Sequence, residues 1–133
     1  MDITISPRKL CGNLTAIPSK SQAHRLLICA AFADAPTKII CTHTNEDIEA
    51  TADCLRAMGA SIIRTKAEYL VTPITEPTKQ PVLHCRESGS TLRFLLPVVG
   101  ALGIDATFFM EGRLAMRPLS PLWEEMEIGR AHV

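Results

Sequence analysis

Residues 18–25 read PSKSQAHR and stand between an extended segment and an apolar stretch with helical periodicity. This change of pattern predicts that a helix begins here. The first N–H groups of a helix have no partner within it and carry the positive end of its dipole, which favours an anion. Lys20 and Arg25 add full positive charges, and Ser21 adds a hydroxyl one turn before Arg25. The stretch predicts a phosphate or carboxylate site, although a helix cap with solvated charges fits the same residues.

A second stretch of the same kind, ESGSTLR, occupies residues 87–93. It again places a hydroxyl-rich turn before an apolar helical run, with an arginine in the first turns of that run. Gly89 would let an anion approach the backbone closely, although the glycine-rich turn is neither a Walker loop nor a dinucleotide fingerprint. Two such sites in one short chain indicate an internal repeat.

Composition excludes several classes of function. The chain has 133 residues, is 47% hydrophobic and carries no net formal charge, so it can bury a core but does not attract nucleic acid or anionic membranes over long distances. The beginning, MDITI, lacks the features of a signal peptide, and no uninterrupted apolar stretch is long enough for a membrane helix. We therefore expect a cytoplasmic protein.

The cysteines and histidines give no sign of a metal centre. Five cysteines are present, an odd number, and none shows the spacing of a zinc site. Several lie in apolar runs, where a reduced cysteine behaves as a small buried hydrophobe. His24 is notable for lying inside the first anion site, but we assign no histidine a catalytic role, and we expect neither a metal nor a cofactor.

Periodicity predicts an α/β (α+β) architecture built from a repeated unit. The N-terminal residues 1–6 alternate as a half-buried strand does. Residues 13–78 then predict strand, helix, strand, helix, strand, strand. The predicted strands are 13–17, 38–42, 61–64 and 69–72, and the predicted helices are 21–34 and 44–58.

The same order restarts after a proline-rich linker at residues 73–81. We predict strands at 82–85 and 106–110, a helical stripe over 92–99 closed by Gly103, and a last helix opened by Pro118 or Pro121. Pro97 predicts a kink in the third helix or a later start.

The second unit stops after its second helix, because residues 127–133, EIGRAHV, show no strand pattern. We expect either a piece of a longer protein or an atypical tail. In both cases an unpaired sheet edge and apolar surface would favour association with another chain, including a second copy of this one.

A third basic stretch, EGRLAMRP, spans residues 111–118. Arg117 precedes a proline suited to the first position of a helix, so we expect its forked guanidinium at another positive helix end. For Arg113 a solvated surface role is favoured. Four cations thus lie near predicted helix starts: Lys20, Arg25, Arg93 and Arg117. Since a polymer site would need interleaved aromatic residues, this grouping favours one or two small, highly charged anions.

Four stretches carry a family resemblance: PSKSQAHRLLICAAFA, NEDIEATADCLRAMGA, ESGSTLRFLLPV and EGRLAMRPLSPL, in that order. To about Met126 the chain resembles the N-terminal part of the 3-phosphoshikimate 1-carboxyvinyltransferases, the EPSP synthases. The resemblance implies two domains of three βαβαββ units each around a cleft. On this basis residues 1–12 form a strand segment that packs with the other domain, 13–78 one complete unit, and 79–133 an incomplete second unit.

The resemblance also implies an activity, the transfer of the enolpyruvyl group of phosphoenolpyruvate to the 5-hydroxyl of shikimate 3-phosphate. This reaction belongs to the shikimate pathway of aromatic amino acid biosynthesis. By position, Lys20 would contact both substrates, Ser21 and Arg25 would hold shikimate 3-phosphate, and Gly89 and Arg117 would hold phosphoenolpyruvate.

Two departures and one gap limit what the resemblance implies. Many members have asparagine at Glu87 and proline at Phe94. The acid and base carboxylates of the family belong to a part that this chain does not match, so we identify no catalytic residue and expect the chain alone to be inactive.

Two alternatives stay open. UDP-N-acetylglucosamine enolpyruvyl transferases share the fold, but they typically have Lys-Asn at Lys20-Ser21 and a cysteine in the loop at residues 113–116, where this chain has none. A non-catalytic phosphoanion-binding module would also explain cations at helix starts.

Overall fold

The computed structural model describes residues 2–130. Within this range the chain forms helices α1 to α4, strands β1 to β5 and one 3-10 helix. Their bounds, in chain order, are α1 Lys20–Ala31, β1 Thr37–Ile40, α2 Glu46–Ala57, β2 Ser61–Arg64, β3 Glu68–Thr72, β4 Val82–His84, α3 Gly89–Leu102, β5 Thr107–Phe109, the 3-10 helix Leu114–Met116, and α4 Leu122–Arg130.

Local capping explains where three helices begin. The Ser19 hydroxyl accepts from the Gln22 N–H at 3.4 Å at the start of α1. Asn45 caps α2 and Ser88 caps α3 in the same way, each accepting from the N–H three residues on. Such side-chain caps satisfy donors that have no partner inside the helix, and each stabilises the helix by about 1 kcal/mol.

The strands form two separate sheets. In the first, the order is β1-β3-β2 and both pairings are antiparallel. In the second, β4 and β5 pair in parallel, with Leu83 opposite Phe108. A parallel pair requires a crossover, and α3 supplies it.

One hydrophobic core joins α1, α2 and α3 to both sheets. Burial alternates along β3, where Tyr69 and Val71 are buried while Leu70 is exposed, so one face of the sheet packs inward. Leu27 of α1 and Leu55 of α2 are fully buried in this core. Because α1 and α2 pack against each other and α2 also packs against α3, the N-terminal ends of three helices are brought to one side of the molecule.

The N-terminal strands predicted at 1–6 and 13–17 are not formed by the described residues. Ile3 and Ile5, the apolar side of the first pattern, are 80% and 86% exposed. A strand is stabilised by a neighbouring strand and by burial of its apolar face, and residues 2–18 have neither here. The mixed α/β class is confirmed, but the first unit consists of helix, strand, helix, strand, strand.

Two predictions made from prolines can be compared with the helices that form. Pro97 lies inside a continuous α3 that begins at Gly89, so the later helix start that Pro97 predicted is wrong. The last helix begins at Leu122, directly after Pro121, and the alternative start at Pro118 is wrong. Of the predicted tail 127–133, residues 127–130 complete α4 and the last three lie outside the described residues. None of the helices within residues 2–130 has both the length and the apolar character needed to cross a membrane.

Candidate functional site

An open cavity of about 530 Å³ lies where the N-terminal ends of α1, α2 and α3 meet the segment that follows β5. We call it the anion cavity. Its lining residues are Lys20, Glu46, Asp47, Glu87, Gly89, Ser90, Arg93, Phe94 and Arg117.

The α1 side of the anion cavity is formed by an ion pair between two helix starts. Lys20 Nζ lies 2.5 Å from Asp47 Oδ2 of α2, and both side chains are partly exposed. Asp47 sits in the first turn of α2, where the helix dipole favours a carboxylate. Lys20 is therefore held over the cavity by a neighbour that also offsets its charge.

The α3 side brings two guanidinium groups to a glycine. A β-carbon placed on Gly89 would lie 2.6 Å from Arg93 Nη1 and 3.5 Å from Arg117 Nη1. Arg93 also donates to the Pro118 carbonyl oxygen at 2.8 Å, which ties α3 to the chain just after Arg117. The absence of a side chain at Gly89 thus leaves room for the Arg93 guanidinium, while Arg117 lies at ordinary contact distance from the same position.

Arg117 reaches this helix start through tertiary contact. It ends the 3-10 helix Leu114–Met116 and has extended backbone, so the expectation that it stands at the start of the last helix is wrong. Its Nη2 lies 3.8 Å from Glu87 Oε1, the residue before the α3 cap. The relevant positive helix end is that of α3, which no local pattern around residue 117 could indicate.

Arg25 and Ser21 do not line the anion cavity, but Arg25 contacts Phe94, which does. Arg25 donates to the Ser21 carbonyl oxygen at 3.0 Å, and its guanidinium carbon lies 4.8 Å from the centre of the Phe94 ring. Phe94 itself lines the cavity. Stacking on an aromatic ring fixes the orientation of a guanidinium, and the N–H groups of Arg25 that do not bond to Ser21 can still donate at the ring edge.

Behind the cavity runs a buried chain of hydrogen bonds that sequence reasoning missed. His24 Nδ1 lies 2.6 Å from Thr51 Oγ1, which lies 2.7 Å from Thr91 Oγ1. Thr91 in turn donates to the Ser88 hydroxyl at 2.7 Å. The chain therefore links α1 and α2 to the cap of α3.

The surroundings of His24 favour its neutral form. Burial lowers its pKa below the ordinary 6.5; Asp47 opposes this shift, and the positive charges of Lys20 and Arg25 add to it. A neutral imidazole in this position is a hydrogen-bonding partner rather than a charge. It leaves the positive charge of the first site to Lys20 and Arg25.

The structure thus brings Lys20, Gly89 and Arg117 to one cavity and places Arg25 beside it on Phe94, while Ser21 does not line the cavity. The acidic lining was not anticipated. Three carboxylates face three cations: Glu46, Asp47 and Glu87 against Lys20, Arg93 and Arg117. Such a cavity can bind a small anion if the anion replaces internal carboxylates as the partner of these cations.

The EPSP synthase (3-phosphoshikimate 1-carboxyvinyltransferase) family model matches residues 5–133. The chain belongs to this family. EPSP synthase relatives include the 3-phosphoshikimate 1-carboxyvinyltransferase of Clostridium kluyveri, 39% identical over 123 residues, which cover 92% of this chain and 29% of that protein. The enzyme of the same name from Clostridium botulinum strain Alaska E43 is 40% identical over 127 residues, with 90% and 29% covered.

A solved EPSP synthase from Acinetobacter baumannii has the same fold. It superposes with a TM-score of 0.72 at 24% identity and covers 88% of this chain and 27% of its own. The chain therefore spans about three tenths of the length of the EPSP synthases that it matches.

Proposed function

We propose that this chain supplies the substrate-binding anion cavity of an enzyme that transfers the enolpyruvyl group of phosphoenolpyruvate to the 5-hydroxyl of shikimate 3-phosphate. In this reaction the methylene carbon of phosphoenolpyruvate takes up a proton, and the 5-hydroxyl oxygen, as it loses its own proton, bonds to the neighbouring carbon that carries the phosphate. The tetrahedral intermediate then loses inorganic phosphate and a proton from the new methyl group, which restores the carbon–carbon double bond. Membership of the EPSP synthase family supports the proposal. The single structural observation that carries it is the meeting of Lys20, Gly89 and Arg117 in one cavity.

The chemistry of the two substrates matches this cavity. Each bears a phosphate and a carboxylate, so their approach requires several cations that converge on a small volume. Lys20 lies between the starts of α1 and α2 and would contact both substrates. Arg117 and the N–H of Gly89 would hold phosphoenolpyruvate, and Arg25 with Ser21 would hold shikimate 3-phosphate at the margin near Phe94.

A binding experiment tests these assignments. The 133-residue chain is titrated calorimetrically with shikimate 3-phosphate and separately with phosphoenolpyruvate, beside R25A, R117A and the control K66A. Lys66 is exposed in the turn between β2 and β3. We expect R25A to weaken shikimate 3-phosphate binding and R117A to weaken phosphoenolpyruvate binding, each by about tenfold, because a charge-assisted hydrogen bond is lost. K66A should bind as the wild type does.

The opposite results would reject the proposal. Unchanged affinity in both arginine variants would mean that Arg25 and Arg117 are solvated surface residues that do not bind the substrates. We further expect no turnover by this chain alone, since the family's acid and base carboxylates are implied for a part that it does not match. Product formation by the 133-residue chain would contradict that expectation.

A further inference from the structure

Glu87 connects the start of α3 to the stretch 111–117, which we call the Arg117 segment. The Arg113 N–H donates to Glu87 Oε1 at 3.1 Å, and Arg117 Nη2 lies 3.8 Å from the same oxygen. One carboxylate thus contacts the residues on both sides of the 3-10 helix that lies within this segment.

The contact with Gly112 is equally close. A β-carbon on Gly112 would lie 2.7 Å from the carboxyl carbon of Glu87 and 2.8 Å from each of its oxygens. Gly112 also has a φ of +55°, a left-handed conformation that favours glycine. Both features fit a segment built to receive a carboxylate against its backbone.

Glu87 also lines the anion cavity, and its position gives it a second effect. Its carboxylate and any bound anion would share the Arg117 guanidinium. The Glu87 carboxylate and the bound anion would repel each other, and the Arg117 guanidinium can pair fully with only one of them. An anion entering next to Arg117 must therefore displace Glu87 or bind beside its negative charge.

We propose that Glu87 sets the affinity of the cavity for phosphate groups, as an internal carboxylate that competes with the ligand for Arg117 while positioning the Arg117 segment. The inference rests on the proposed function, because it concerns the same cavity. It makes Glu87 a positioning and specificity-determining residue. Loss of its charge strengthens anion binding, and loss of its hydrogen bond loosens the segment.

Two substitutions separate these effects. E87Q keeps an oxygen that accepts from the Arg113 N–H but removes the charge, whereas E87A removes both. The control is E76Q, since Glu76 is exposed in the loop between β3 and β4. The probe is inorganic phosphate, titrated into the 133-residue chain and followed by the amide NMR signals of Gly89 and Arg117.

We expect E87Q to bind phosphate about two- to fivefold more tightly than the wild type, which is the size of one exposed charge interaction. E87A should gain less than E87Q, and its Arg113 amide should exchange with solvent faster. E76Q should match the wild type. If Glu87 had only a structural role, the phosphate affinity of E87Q would equal that of the wild type or be lower. A gain in affinity is therefore expected only if Glu87 competes with the anion.

Phosphate affinity in E87Q that does not exceed that of the wild type, including no binding by either, overturns the inference. This outcome is distinguishable from failure of the proposed function. Suppose that phosphate binds more tightly to E87Q while R25A binds shikimate 3-phosphate as the wild type does. That result would support the role of Glu87 and reject the substrate assignment.

Discussion

At the scale of single residues, His24 shows how an anion site acquires a neutral interior. It is fully buried on the inner face of α1, one residue from Arg25 and hydrogen-bonded to Thr51. A protonated imidazole here would place a third positive charge next to Lys20 and Arg25 in a buried setting, which is costly. The fold therefore favours the neutral ring.

This preference predicts that stability depends on pH. In the unfolded chain His24 titrates near 6.5, and folding lowers its pKa. Between the two pKa values the unfolded chain binds more protons, so the free energy of unfolding falls as the pH falls below about 6.5, by at most about 1.4 kcal/mol per pH unit. Urea unfolding at pH 7.5 and 5.5 measures the slope.

The matched variants are H24N, which removes the ionisable group, and H43N, at an exposed position after β1. H24N should flatten the dependence between these pH values, and H43N should retain it. An H24N protein with the wild-type slope would show that the proton uptake occurs elsewhere.

Among the helices and strands, α3 contains the residue with the clearest cost to folding stability. Pro97 lies inside the helix and is exposed, and it cannot donate to the carbonyl one turn earlier. We expect P97A to raise the free energy of unfolding by about 2 kcal/mol, because alanine restores the donor and has the higher helix propensity. Urea unfolding monitored by circular dichroism checks this.

The contrast is P36A, in the turn between α1 and β1. There proline restricts the unfolded chain without breaking a helix, so P36A should lower stability by about 0.5 kcal/mol. Equal effects of the two substitutions would mean that α3 has adapted to its proline at no cost.

Elements were predicted well where the determining signal is local. Ser88 and the apolar stripe behind it lie close together in the sequence, and both survive in the folded α3. The N-terminal strand pattern failed because pairing depends on a distant partner, as the exposure of Ile3 and Ile5 shows. The contacts of Arg25 with Phe94 and of Glu87 with Gly112 join residues that are far apart in the sequence. No local sequence pattern could therefore predict them.

In the molecule as a whole, large apolar side chains are exposed at several places, among them the N-terminal segment, the outer face of the first sheet and the surroundings of the second sheet. A second cavity, of about 910 Å³, lies between β4, β5, α3 and α4, and Trp123 on its wall is 47% exposed. Val82 and Phe109 are also exposed large hydrophobic residues of this sheet. Self-association through this face stays a prediction.

We expect sedimentation velocity to give a mass for the 133-residue chain that rises with concentration. T107K places a lysine on β5, at the cavity wall, and should shift the chain towards monomer, since charged edge strands resist pairing. S61K, on the edge strand β2 of the other sheet, is the control. If S61K dissociates the assembly and T107K does not, the contact lies on the first sheet.

The buried chain of hydrogen bonds that runs from His24 to Ser88 behind the anion cavity has an evolutionary consequence. Replacing Thr51 by valine would leave His24 Nδ1 without its hydrogen-bond partner, whereas Thr91 would keep the Ser88 hydroxyl as its acceptor. The cost of this change falls on His24, so we expect a second substitution at His24 to offset part of it. We therefore expect the residue types at positions 24 and 51 to change together among natural variants.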